Sequence, residues 1–214
     1  MEVELGASGS SKIQVLSQSN EVQFIKIKPK KIINPGTKQE TEAEVDASEN
    51  SALIVTPQKI ALTAGGERLI RLISMALPEK ETTWRVYFEG VSEQKYSGEI
   101  GGDDKKGSAE VGVSIIWGAL VHVAPKTTVV GLTYNSQTGE VSNTGTIRLP
   151  LRELAVCNNE KDCVWTKETM TIYPDMHTKL KSFTYSPGKI YRVKYYNWIK
   201  NSVEEMALSV SSAH

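Results

Sequence analysis

The chain has 214 residues, room for two β domains of about 100 residues each, and its 25 Lys plus Arg are balanced by 25 Asp plus Glu. That neutrality leaves no basic footprint for nucleic acid, and no apolar run approaches the roughly 18 residues a membrane span needs. The 19 Val, 16 Ile and 17 Thr, with 16 Gly and 8 Pro scattered among them, favour short strands joined by turns.

Val22, Phe24, Ile25 and Ile27 predict a strand ending at Pro29. Asn34-Pro35-Gly36 predicts a turn, because Pro presets φ and Gly supplies a positive φ. Leu53–Thr56 reads as a short strand stopped by Pro57, and Ile60–Leu62 runs into a turn at Gly65-Gly66. Leu69–Ser74 follows, with Leu69, Arg71 and Ile73 on one face. Trp84, Val86 and Phe88 alternate with Arg85, Tyr87 and Glu89, the signature of a strand buried on one side only. Residues 92–108 are polar, Gly-rich and aperiodic, and read as a long mobile loop.

Glu110–Ala124 is the longest strand candidate, with Val111, Val113, Ile115 and Trp117 on one face and Ile116, Leu120 and His122 on the other. Ile116 is expected to point into the core of its domain. Pro125 ends the strand and sets the expected boundary between domains 1–124 and 125–214. The second half repeats the theme at Val129–Tyr134, Val141–Asn143, Ile147–Val156, Thr169–Tyr173, Lys179–Phe183 and Tyr191–Tyr196, with turns at Thr138-Gly139 and Ser186-Pro187-Gly188. The tail Val203–Val210 suits a last strand or a helical turn. Cys157 and Cys163 flank turn-forming Asn158, Asn159 and Asp162, so they read as a disulfide closing a hairpin, with two buried thiols as the alternative. The whole pattern predicts an all-β, sandwich-like chain.

Catalytic signatures fail. Gly102-x4-Gly107 is followed by Ser108 without the phosphate-binding Lys, and G-x-S-x-G, H-E-x-x-H and G-x-G-x-x-G are absent. His122, His177 and His214 are far apart in sequence and define neither a metal site nor a triad. No enzyme, metal or cofactor is expected. What remains is the long apolar strand, which is either a central strand buried on both faces or an edge strand offering alternate side chains to another protein. The loop before it favours the edge.

The segments FIKIKPKKIINPGT (24–37), LIVTPQKIALTAGGERLIRL (53–72), LPEKETTWRVYFEGV (77–91), VSIIWGALVHVAP (113–125) and VCNNEKDCV (156–164) resemble the PapD-like periplasmic chaperones of pilus assembly. Within them, the similarity is to the alternate class that serves colonisation-factor fimbriae. The resemblance implies two immunoglobulin-like domains joined in an L or boomerang. It also implies donor-strand complementation, in which the chaperone lends alternating apolar residues to a pilin that lacks its last strand. Counted back from the closing Pro, the donor residues correspond to Val111, Val113 and Ile115, with Ala109 a weaker fourth. The implied partners are pilin subunits, a tip adhesin and an outer-membrane usher, with self-capping as a dimer a further option. The implied compartment is the periplasm, reached with a secretion signal that is removed.

The chain departs from the conventional family pattern where the terminal carboxylate of the pilin is clamped. Leu120 stands where conventional members carry a donor-strand Lys, Val3 or Glu4 where they carry an Arg, and Ala124 where an Arg precedes the Pro. Met1 aligns inside the relatives' first strand. A half-buried carboxylate still requires a cation, and the candidates are Arg85, His122 and Lys126, in that order, with Arg85 alternatively a cross-strand ion-pair residue. A two-domain structural pilus subunit or adhesin is the competing reading. A pilin would carry its own N-terminal donor segment, whereas MEVELGASGSSK is short and rich in Gly and Ser.

Overall fold

A computed structural model of the chain describes residues 1–45, 52–97, 116–181 and 184–211. Two compact units emerge. One is built from Met1–Ile32, Glu42–Leu77 and Thr83–Val123, the other from Ile33–Thr41, Pro78–Thr82 and Ala124–His214.

The elements that run through the first part of the chain are β1 (Glu2–Leu5), β2 (Ser10–Leu16), β3 (Gln23–Ile33), β4 (Thr41–Glu44), β5 (Leu53–Thr56), β6 (Lys59–Leu62), β7 (Glu67–Ser74), β8 (Thr82–Val91), the single-turn helix α1 (Glu93–Ser97) and β9 (Ile116–Val123). One sheet has the order β1-β9-β8-β3-β4 with β6 also on β3, and the facing sheet has the order β2-β7-β5. Period-two alternation turns Ile27, Trp84, Val86, Ala119 and Val121 of the first sheet toward Ile13, Val55, Ile70 and Leu72 of the second, and these residues share one core. As expected, Leu69, Arg71 and Ile73 lie on the outer side of β7, while Ile70 and Leu72 are buried between them.

Pro29 does not end its strand. β3 continues through it, with Pro29 opposite Val86 on β8. The N–H of Ile27 donates to the carbonyl of Gln58, so two residues on Pro29 faces the same side, away from β8. Pairing with β6 has stopped there at Lys26, so the missing donor breaks no rung of that ladder.

The rest of the chain forms β10 (Leu132–Asn135), β11 (Glu140–Asn143), β12 (Leu149–Asn159), β13 (Asp162–Lys167), β14 (Thr171–Ile172), β15 (His177–Lys179), β16 (Ile190–Asn197), β17 (Ser202–Ala207) and β18 (Ser209–Ser211). Sheets β15-β11-β10-β18 and β13-β12-β16-β17, with β14 on β12, enclose a core of Leu132, Tyr134, Val141, Leu154, Tyr191 and Val193 among others. The tail is strand, not helix, because β17 pairs along β16 from Asn197–Ser202 to Arg192–Ala207. Cys157 and Cys163 are directly opposite in the β12–β13 hairpin and form a disulfide.

Candidate functional site

β9 is the strand on which the functional reading turns. β1 covers its outer edge in parallel from Glu2–Leu120 to Leu5–Val123, and the Leu120 N–H donates to the carbonyl of Met1. Side chains at Ala119, Val121 and Val123 are buried in the first core. Two residues before Ala119 and on the same side, Trp117 is 70% exposed, and Ile116 on the opposite side is 56% exposed. Ile116 therefore does not enter the core, contrary to expectation, since its side of β9 is the outer face of the sheet. A groove of about 1050 Å³ opens beside Trp117, with Leu16, Val22, Phe24, Phe88 and Val91 among its walls. The four donor positions, Ala109, Val111, Val113 and Ile115, lie outside the described residues.

The three candidate cations have different settings. Arg85 projects from the outer side of β8, where its Nη1 donates to Glu42 Oε1 at 2.8 Å. The hydroxyl of Tyr87, two residues along on the same side, donates to the same oxygen at 2.6 Å. The bond with Tyr87 and the charge of Glu42 hold the Arg85 guanidinium above its ordinary pKa despite partial burial. Gly118 on β9 makes room for this group: a Cβ there would stand 3.6 Å from Arg85 Cγ and Cδ and 3.7 Å from Tyr87 Cε1. Glycine within a strand commonly marks such a close approach.

His122 is fully buried on β9, with Nδ1 3.3 Å from Thr83 Oγ1 and Nε2 3.1 Å from Glu2 Oε1. It already has a carboxylate neighbour and no open surface. Lys126 is exposed and belongs to the second unit, where its backbone N–H donates to the carbonyl of Pro78. Leu120 and the four residues of β1 supply no cation. The sequence pattern places Arg85 and Tyr87 on the polar side of their strand, as found. It misses Glu42 and the notch at Gly118, since neither belongs to a motif.

Among the described residues no group of His, Cys, Asp and Glu could hold a metal ion, and no helix is long and apolar enough to cross a membrane.

Two immunoglobulin-like sandwiches, the first with a strand edge that β1 covers only in part, define a two-domain β-sandwich protein of the kind that binds other chains along that edge. No family model matches the chain. It is 35% identical over 178 residues, 80% of this chain and 74% of the relative, to a CFA/I fimbrial protein of Escherichia coli. The class 5 fimbriae chaperone CfaA superposes with a TM-score of 0.73 at 29% identity, covering 96% of this chain and 94% of that one. A chain from a chaperone–tip adhesin complex of CFA/I fimbriae biogenesis gives a TM-score of 0.75 at 28% identity, covering 97% and 95%. The chain belongs to the PapD-like family of periplasmic pilus chaperones, in the branch that CfaA represents. The family's role is pilus assembly, which is not enzymatic.

Proposed function

We propose that the chain captures fimbrial subunits, a tip adhesin among them, by donor-strand complementation and delivers them to an outer-membrane usher. Val111, Val113 and Ile115, with Ala109 weaker, fill the groove of the captured pilin, while Arg85 is the leading anchor for its terminal carboxylate, ahead of His122 and Lys126. The first domain, 1–124, carries this edge, and 125–214 forms the second. Export with a cleaved signal precedes function, and self-capping as a dimer protects the edge when no pilin is present.

The observation that carries this reading is β9 itself: among the described residues its outer edge is paired with β1 only from Leu120 onward, and the apolar Ile116 and Trp117 stand exposed ahead of that point. A strand edge with open backbone groups and apolar side chains is what β-strand addition requires. A relative similar to this chain occurs with a tip adhesin in a solved complex, which supports the choice of partner. Periplasmic co-expression with a fimbrial pilin should yield a one-to-one complex, and Ile115→Asp should abolish its recovery while leaving the free chain folded. Undiminished recovery with Ile115→Asp would remove this strand from the donor role.

A further inference from the structure

We propose that Arg85 and Tyr87 form a carboxylate site that Glu42 occupies in the free chain and vacates for the C-terminal carboxylate of a captured pilin. The inference rests on the capture reading above and adds to it a built-in competitor. Two donors from alternate positions on β8, a guanidinium and a phenol, converge on one oxygen, Glu42 Oε1, at 2.8 and 2.6 Å. Such charge-assisted bonds to a single oxygen make a specific carboxylate receptor.

The carboxylate that fills it comes from an unusual direction. Side chains in a sheet normally pair with the adjacent strand, yet Glu42 sits on β4, with the whole of β3 between it and β8. β3 presents Lys30 directly opposite Arg85 and Lys28 directly opposite Tyr87. This face is therefore basic, and β4 supplies the compensating charges, Glu42 for Arg85 and Glu44 for Lys30 at 3.3 Å. Like charges directly opposite one another destabilise a sheet, so the face demands a carboxylate, and any carboxylate of suitable reach satisfies it.

The receptor is also well placed and open. The Arg85 stem rests on Gly118 of β9, the strand whose exposed end begins two residues earlier. About a third of the Arg85 side chain and a quarter of that of Glu42 remain accessible, so exchange needs no core rearrangement. Because Glu42 is tethered by a short edge strand, its departure releases β4 from this face without disturbing the first core, to which β4 contributes no buried residue.

The test uses the full chain and a fimbrial pilin that co-purifies with it, in its native form and lengthened by Gly-Gly at the C-terminus, which moves the terminal carboxylate by up to about 7 Å. Glu42→Gln keeps the shape of the placeholder but weakens its hold, and it should tighten capture of the native pilin several-fold while leaving capture of the lengthened one nearly unchanged. Tyr87→Phe should weaken capture of the native pilin more than of the lengthened one. A Glu42→Gln chain that binds the native pilin no better than wild type, or that improves equally for both forms, would overturn the assignment. If wild-type chain captures neither form, the capture reading fails and this site falls with it. Capture that ignores both substitutions overturns the site alone.

Discussion

Glu81 offers the sharpest test of what holds the second unit together. Its side chain is fully buried, and its backbone N–H donates to the carbonyl of Thr146. Oε2 accepts the Arg148 backbone N–H at 2.9 Å and the Trp198 indole N–H at 2.9 Å, while Oε1 accepts Arg148 Nη1 at 2.8 Å. The guanidinium in turn lies over the Trp198 ring at 4.9 Å. Glu81→Gln keeps the volume but leaves Arg148 buried without its counter-charge and sets an amide N–H₂ against donors. Breaking a buried pair from one side costs about 3–5 kcal/mol. For a domain of this size each kcal/mol moves the melting temperature by about 4–8 °C, so a shift of at least about 12 °C is expected. Urea unfolding followed by near-UV circular dichroism reads the loss directly. Replacing both partners by apolar residues, Glu81→Leu with Arg148→Met, should recover much of it, because neither charge is then stranded. A Glu81→Gln chain within about 1 kcal/mol of wild type would refute the claim that this pair is desolvated.

β9 gives a paired contrast. Val121→Asp places an unpaired charge in the first core and should unfold that domain, whereas Ile116→Asp, on an exposed site, should shift stability by about 0.5 kcal/mol or less, both read by thermal melting. The seven-residue ring from Cys157 to Cys163 should contribute about 2.4 kcal/mol by constraining the unfolded chain, a loss measurable in urea after replacing both cysteines with Ala. The β16–β17 hairpin should be sensitive at both pH extremes. Bonds from Lys200, Asn197 and Tyr195 lower the Glu204 pKa to about 2, so its contribution is full above the ordinary carboxylate value and fades as pH falls toward 2. Burial and the bond to Glu204 raise the Tyr195 hydroxyl to about 12, so the neutral phenol's contribution holds below pH 10 and is lost as pH climbs through 12. Glu204→Gln should flatten the acid limb of a stability–pH curve; an unchanged limb would place the acid sensitivity elsewhere.

How much of the fold is visible in the amino-acid order depends on how far each strand relies on its own alternation. β5, β7, β8 and β16 carry clear period-two patterns and appear where those patterns predict, because a side chain's direction in a strand is fixed by its parity. β1, β2 and β4 have no such advertisement. EVEL, SSKIQVL and TEAE hold few apolar residues, and they become strands by pairing with β9, β7 and β3. The misreading of Pro29 has the same origin. A proline breaks a strand only if its absent N–H faces a neighbour, and neighbours are a property of the sheet. The Arg85–Tyr87–Glu42 group is invisible for a further reason: Arg85 and Tyr87 lie 43 and 45 residues from Glu42 and meet it across an intervening strand.

The misplacement of Ile116 has the most functional content. Alternation correctly separates Trp117, Ala119, Val121 and Val123 from Ile116, Gly118 and Leu120, but it cannot say which set faces the core or where the core stops. In the structure the odd positions face inward, and burial ends between Ala119 and Trp117. Val111, Val113 and Ile115 share that parity. On the capture reading, one unbroken period-two series then fills two cores in succession, the chaperone's own from Ala119 to Val123 and that of the pilin from Val111 to Ile115. Trp117 marks the crossing point. The same apolar alternation that makes the strand look like an ordinary central strand of one domain is what lets it complete another, and the difference between the two roles lies in where the partner strand β1 and the facing sheet end.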